Sequence, residues 1–82
     1  MWSVYALRSK KDGWLYVGMS SEVERRVEQH NRGYNRSTRS RAAFDLFYVE
    51  QCGAREVART REKFLKSGKG REFLRKRLAD MN

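Results

Sequence analysis

WLYVGMSSEVERRVEQHN, residues 14–31, changes its hydrophobic period halfway along. WLYVGM carries aromatic and branched residues in a row, as a strand does. From there Val23, Val27 and His30 recur at spacings of four and three, which is helical. Ser21 followed by Glu24 is a capping-box signature, so the helix is expected to start at Ser21 and run to about Asn31. Arg32-Gly33 ends it, with Gly33 free to take the left-handed conformation. Upstream, WSVYALR (2–8) has the same strand character as 14–19, and KKDG between them makes a hairpin turn. Downstream, YNRSTRSRAA (34–43) is polar and basic and reads as a loop, and FDLFYVEQC (44–52) is a third strand. AREVARTREKFLKS (54–67) has helical spacing in Ala54, Val57, Ala58, Phe64 and Leu65. Gly68 and Gly70 are expected to break it before a last short helix in REFLRKRLADM. The order ββαβαα is that of an α/β protein, a small sheet with helices packed on it.

The chain of 82 residues reads as one domain, 1–82, near the lower limit for an independent core. Nineteen Lys+Arg against ten Asp+Glu give a net charge of +9, and the pI is about 10.3. That balance points to a polyanion, most often nucleic acid. No apolar run approaches the roughly 18 residues of a membrane span, and Arg8, Lys10 and Lys11 interrupt anything like a signal peptide. No membrane association is therefore expected. The single Cys52 excludes an internal disulfide, implies no disulfide-linked partner, and fits the reducing cytoplasm. With one Cys and one His, a zinc site of four side chains is excluded. A metal here takes oxygen ligands.

The chemistry-bearing residues sit on three elements. Tyr5 and Tyr16 lie one in each hairpin strand, and an even-numbered loop puts both phenols on one face. Strands favour tyrosine anyway, so taken alone the pair reads as core. On the first helix, His30 and Arg26 flank the Val23–Val27 stripe that faces the sheet, whereas Arg25 points away. A guanidinium on an inward edge needs an anion, a carboxylate or a phosphate. On the second helix Glu62 lies at the rim of the apolar stripe, where the plain alternative is an i,i+4 pair with Lys66. Together these groups suit phosphodiester hydrolysis, which needs a base for water, a cation at the phosphoryl oxygens and help for the leaving oxygen. Tyrosine is a poor base at its ordinary pKa of about 10. Arg26, a metal and the basic field are all expected to lower it. Glu62 as sole protein ligand suits one Mg²⁺ or Mn²⁺ ion that keeps its waters.

VY at 4–5, YVG at 16–18, then Arg26, His30 and the Glu62 of REKFLK resemble the GIY-YIG nuclease superfamily, in particular its small stand-alone bacterial branch. The resemblance runs from Trp2 to about Leu74 and extends to the N-terminal domains of excision endonucleases, with DNA repair as the implied setting. It implies a three-stranded antiparallel sheet flanked by helices and metal-dependent hydrolysis of DNA. Carried over residue by residue, it makes Tyr5 and Tyr16 the two motif tyrosines, Arg26 the phosphate-binding arginine, His30 the helix histidine and Glu62 the metal ligand. Ser3 and Val4 replace the glycine and isoleucine of the first motif. Met19 stands where excision members have lysine, and Leu74 to Arg77 occupy the window of an asparagine found in many members.

The remaining basic residues read as DNA contacts. Arg36, Arg39 and Arg41 in the loop, with Lys66, Lys69 and Arg71 in KSGKGR, are placed to neutralise backbone phosphates. The leading expectation is a metal-dependent endonuclease or nickase acting on DNA, with a protein partner as one source of specificity. The rival is a non-catalytic nucleic-acid-binding module that keeps the same fold.

Overall fold

The computed structural model describes residues 1–81. β1 (Trp2–Ser9) is the middle strand of an antiparallel three-stranded sheet, between β2 (Leu15–Ser20) and β3 (Phe44–Gly53). This position explains its sequence. Val4, Tyr5, Ala6 and Leu7 form an unbroken apolar run because the strand is covered on both faces, and all four are buried. The β1–β2 turn is Lys10–Gly13, an even loop. Gly13 takes φ +77 there, and its N–H donates to the Ser9 carbonyl at 2.9 Å. The register pairs Tyr5 with Gly18 and Leu7 with Tyr16. Tyr5 and Tyr16 therefore share a face as expected, diagonal to one another.

The two faces of the sheet carry different helices. Tyr5, Leu7 and Phe44 on one face pack with Trp14, Tyr16, and the Val23 and Val27 of α1 (Val23–Asn31). Val4, Ala6, Leu15, Val17 and Tyr48 on the other pack with Ala58 and Leu65 of α2 (Arg55–Lys66) and Leu74 of α3 (Gly68–Asp80). The side chain of Asn31 ties the end of α1 to β3, its Oδ1 accepting the Phe44 N–H at 2.6 Å. Among the described residues no helix is long and apolar enough to cross a membrane.

Three local expectations fail, each for a physical reason. The capping box at Ser21 does not form. β2 extends through Ser20, whose hydroxyl accepts the Glu22 N–H at 2.9 Å, and α1 starts at Val23 with no side-chain cap. The 34–43 loop contains a 3₁₀ turn, Arg39–Arg41. Gly68 and Gly70 do not break the helix; they lie in the first turn of α3, which follows α2 after Ser67 alone. Ser67 is extended and its Oγ accepts the Gly70 N–H at 3.3 Å, an N-cap. A Cβ at Gly70 would stand 2.0 Å from the Phe64 carbonyl oxygen, so the residue lets α3 cross tightly over the end of α2. Phe64 and Phe73 are partly exposed and are covered by the Arg61 guanidinium at 5.1 and 5.5 Å from their ring centres.

Candidate active site

The site is built on the α1 face of the sheet around the Tyr5 phenol. Gly18, opposite Tyr5 in the register, leaves the space the ring occupies. A Cβ there would stand 2.6 Å from the Tyr5 Oη and 3.0 Å from Tyr16 Cε2. A glycine in a strand interior costs stability unless something approaches closely, and here the phenol does. His30, in the last turn of α1, is 1% exposed because it continues the Val23–Val27 stripe. Its Nε2 lies 3.2 Å from the Tyr5 Oη, and its Nδ1 lies 2.9 Å from the Thr38 Oγ1. The Thr38 hydroxyl in turn donates to the Asn35 carbonyl at 3.4 Å. The Tyr16 ring packs tilted against His30 with centroids 4.7 Å apart, and lies 6.3 Å from the Tyr5 ring.

The charged groups converge on the same phenol. Arg26 is exposed, not on a buried edge as expected, since a ridge position one turn before His30 opens to solvent. Its Nη1 donates to Gln29 Oε1 at 3.2 Å, and its positive charge acts on the Tyr5 phenol. Arg25 instead pairs with Glu22 at 3.5 Å. Glu62 comes from α2 on the other face, and its carboxylate charge reaches Tyr5. It is also paired with Lys66 at 3.3 Å.

The expected lowering of a phenol pKa is not found at Tyr5. Burial pushes it up to about 12, the Tyr16 charge adds to this, and Arg26 opposes both without overcoming them. For a phenol 1% exposed, loss of hydration outweighs one exposed guanidinium. His30 is held below the usual imidazole value, first by burial and then by the Arg26 charge, so it is neutral at pH 7.

A cavity of about 280 Å³ opens beside His30, lined by Arg26, Gln29, Tyr34, Asn35 and Arg36. Arg36 thus stands next to the site. Arg39 lies across Gly33, with its Cγ 3.3 Å from the position a Cβ would take there. Arg41 is tied into the fold, paired with Asp12 at 3.2 Å and stacked 4.5 Å over the Trp14 ring. Lys69 and Arg71 lie in the first turn of α3, which packs on the opposite face. Two contributors were not singled out from the sequence. Thr38 is fully buried within a loop that reads as solvated, and its only signal was a threonine among serines and arginines. Gly18 was legible as a motif letter, without the steric reason for it.

Among the described residues no three His, Cys, Asp or Glu side chains are grouped as a metal cage. A lone carboxylate such as that of Glu62 would suit a hard cation that draws the rest of its shell from water and phosphate.

The GIY-YIG catalytic domain matches residues 1–77 of the chain. The chain belongs to the GIY-YIG family. This is a nuclease-type domain, and the antiparallel sheet with its flanking helices agrees with it. A UPF0213 protein of Nitratidesulfovibrio vulgaris is 51% identical over 47 residues, covering 56% of this chain and 42% of that protein. One from Desulfotalea psychrophila is 39% identical over 67 residues, covering 79% and 60%. A third, from Natronomonas pharaonis, is 38% identical over 65 residues, covering 78% and 75%. The chain thus spans 42% and 60% of the length of the first two relatives. No solved structure matches the chain.

Proposed function

We propose that residues 1–82 act as one metal-dependent endonuclease domain that hydrolyses DNA phosphodiesters. The observation that carries this reading is the buried Tyr5–His30 hydrogen bond at 3.2 Å, with the Tyr16 ring and the Arg26-lined cavity beside it. Burial pushes the Tyr5 pKa up to about 12, so the phenol rests protonated at neutral pH. The proton therefore moves through Tyr5 without a phenolate accumulating. The water oxygen bonds to phosphorus as the ester P–O bond breaks. The water proton passes to the Tyr5 oxygen while the Tyr5 proton passes to the neutral His30 Nε2. The departing oxygen takes a proton from solvent.

Arg26 binds the phosphoryl oxygens, where negative charge grows in the transition state. Tyr16, half-exposed beside His30, faces the phosphate and its water. Glu62 would hold a divalent ion, Mg²⁺ or Mn²⁺, which supplies further charge stabilisation at the phosphoryl oxygens. Arg36, Arg39, Lys69 and Arg71 contribute phosphate contacts. Arg41 and Lys66 contribute less, since each already has an acidic partner. The basic charge fits DNA held by its backbone, and a cytoplasmic setting with specificity from a protein partner belongs to the same reading.

The Lys66–Glu62 ion pair favours a second reading, a DNA-binding module without metal chemistry, because it neutralises the proposed ligand. Supercoiled plasmid separates the two. Nicking or linearisation with Mg²⁺ or Mn²⁺ that EDTA stops is the expected result. Plasmid retarded in a gel yet never cut with either ion would overturn the nuclease reading.

A further inference from the structure

The hydrogen bonds around His30 have a direction that the residue at one end imposes. The Tyr5 hydroxyl lies 3.2 Å from His30 Nε2. At the other end the Asn35 carbonyl can only accept. It takes the Thr38 hydroxyl proton at 3.4 Å and also the Thr38 N–H at 3.2 Å. With its one proton committed, the Thr38 oxygen accepts from His30 Nδ1 at 2.9 Å. That selects the imidazole form protonated on Nδ1 and bare on Nε2, which leaves the Tyr5 hydroxyl to donate to Nε2. The chain runs Tyr5 to His30 to Thr38 to the Asn35 carbonyl, each member polarising the next.

We propose that Thr38 is a positioning residue that fixes His30 as the Nδ1–H tautomer, so that Nε2 is free to take the proton from Tyr5. This rests on the nuclease reading above, and it assigns a role to a loop whose charged residues alone had suggested function. Thr38 is fully buried, lies in the 34–43 loop and reaches Tyr5 through His30. The 3₁₀ turn holds it in place, the Arg41 N–H donating to the Thr38 carbonyl at 2.9 Å. The opposite tautomer would aim an N–H at the phenol and leave the proton path from Tyr5 without an acceptor. A second-layer partner of this kind sets which ring nitrogen does the work.

The test compares wild type, Thr38→Val and Thr38→Ser. Valine keeps the volume and removes the hydroxyl; serine keeps the hydroxyl. Long-range ¹H–¹⁵N correlation spectra of the ¹⁵N-labelled proteins report the His30 tautomer without any need for activity. The expected result is Nδ1–H in wild type and Thr38→Ser, and loss of that single form in Thr38→Val. Single-turnover cleavage of plasmid with Mg²⁺ should fall about 10²-fold in Thr38→Val, by analogy with losing one preorganised partner, and recover to within a few-fold in Thr38→Ser. An Nε2–H signature in wild type, or an unchanged tautomer in Thr38→Val, overturns the proposal. A shifted tautomer with an unchanged cleavage rate overturns the link to Tyr5. A wild-type protein with the Nδ1–H form that never cuts plasmid refutes the nuclease reading and leaves the tautomer assignment standing. Should Thr38→Val unfold, Thr38→Ala carries the same comparison with the smaller side chain.

Discussion

Replacing Gly18 by alanine adds one methyl group at the point where the site and the fold meet. Its Cβ would stand 2.6 Å from the Tyr5 Oη and 2.8 Å from Cζ, so the ring has to move. Overpacking of this kind costs about 1–3 kcal/mol. Shifting the phenol also breaks its bond to His30 and leaves a buried imidazole nitrogen unpaired, which costs about 1–3 kcal/mol more. Removing a glycine from a strand returns about 0.5–1 kcal/mol. The net is about 1–5 kcal/mol, and its midpoint of about 3 kcal/mol corresponds to on the order of 10–25 °C in Tm for a domain of this size. Gly68→Ala is the control. Its Cβ meets nothing within 4 Å, so the helical gain of up to about 1 kcal/mol should appear alone. Denaturant melts measure both variants, and single-turnover cleavage of Gly18→Ala under conditions where it is folded should drop at least tenfold by the loss of the relay. A Gly18→Ala protein within about 0.5 kcal/mol of wild type and fully active would refute the placement of Tyr5 over the glycine.

Arg26→Ala should lower single-turnover cleavage about 10²–10³-fold, with DNA affinity falling much less, whereas Arg25→Ala, whose partner is Glu22, should change the rate little; equal rates for the two would sink the arrangement. Glu62→Gln should abolish Mg²⁺-dependent cleavage and keep or slightly strengthen DNA binding in a gel-shift assay, since it removes a negative charge; wild-type cutting would put the metal elsewhere. Below pH 6.5 the unfolded chain protonates His30 before the folded protein does, so stability in denaturant melts should decline as pH falls from there, and cleavage should decline with it as Nε2 is filled. At the alkaline end the unfolded Tyr5 ionises near pH 10 and the folded one near about 12. Stability should fall across that window by on the order of 2 kcal/mol more than in Tyr5→Phe.

Most of the fold was legible because its signals are local. The change from strand to helix spacing within 14–31 located β2 and α1, and the even Lys-Lys-Asp-Gly turn put both tyrosines on one face. What escaped were boundaries decided by tertiary contact. Ser21 and Glu24 had the letters of a capping box, but Ser20 is paired into β2 and its hydroxyl captures the Glu22 amide first. Gly68 and Gly70 had the letters of a break, but α3 crosses α2 so closely that a residue without a Cβ is required at 70. A helix breaker by propensity became a packing device.

The electrostatics of the site were harder to anticipate, because they depend on depth. Arg26 and Tyr5 were expected together, and from charge alone that neighbourhood lowers a phenol pKa. Burial reverses the sign, and with it the mechanism the site can support. A phenol near 12 works as a base only if its own proton can leave in the same step, which demands a neutral acceptor at hydrogen-bond distance. His30 meets that demand, because the same burial that raises Tyr5 lowers the imidazole and keeps it uncharged at pH 7. The two shifts share burial as their largest cause and have opposite directions, so a change that hydrates the pocket should weaken both at once. Widening the site, as by Tyr16→Ala, should therefore bring Tyr5 and His30 back toward their ordinary values together, read by NMR titration of the two rings. A Tyr5 that relaxes while His30 stays depressed would show that burial is not what links them.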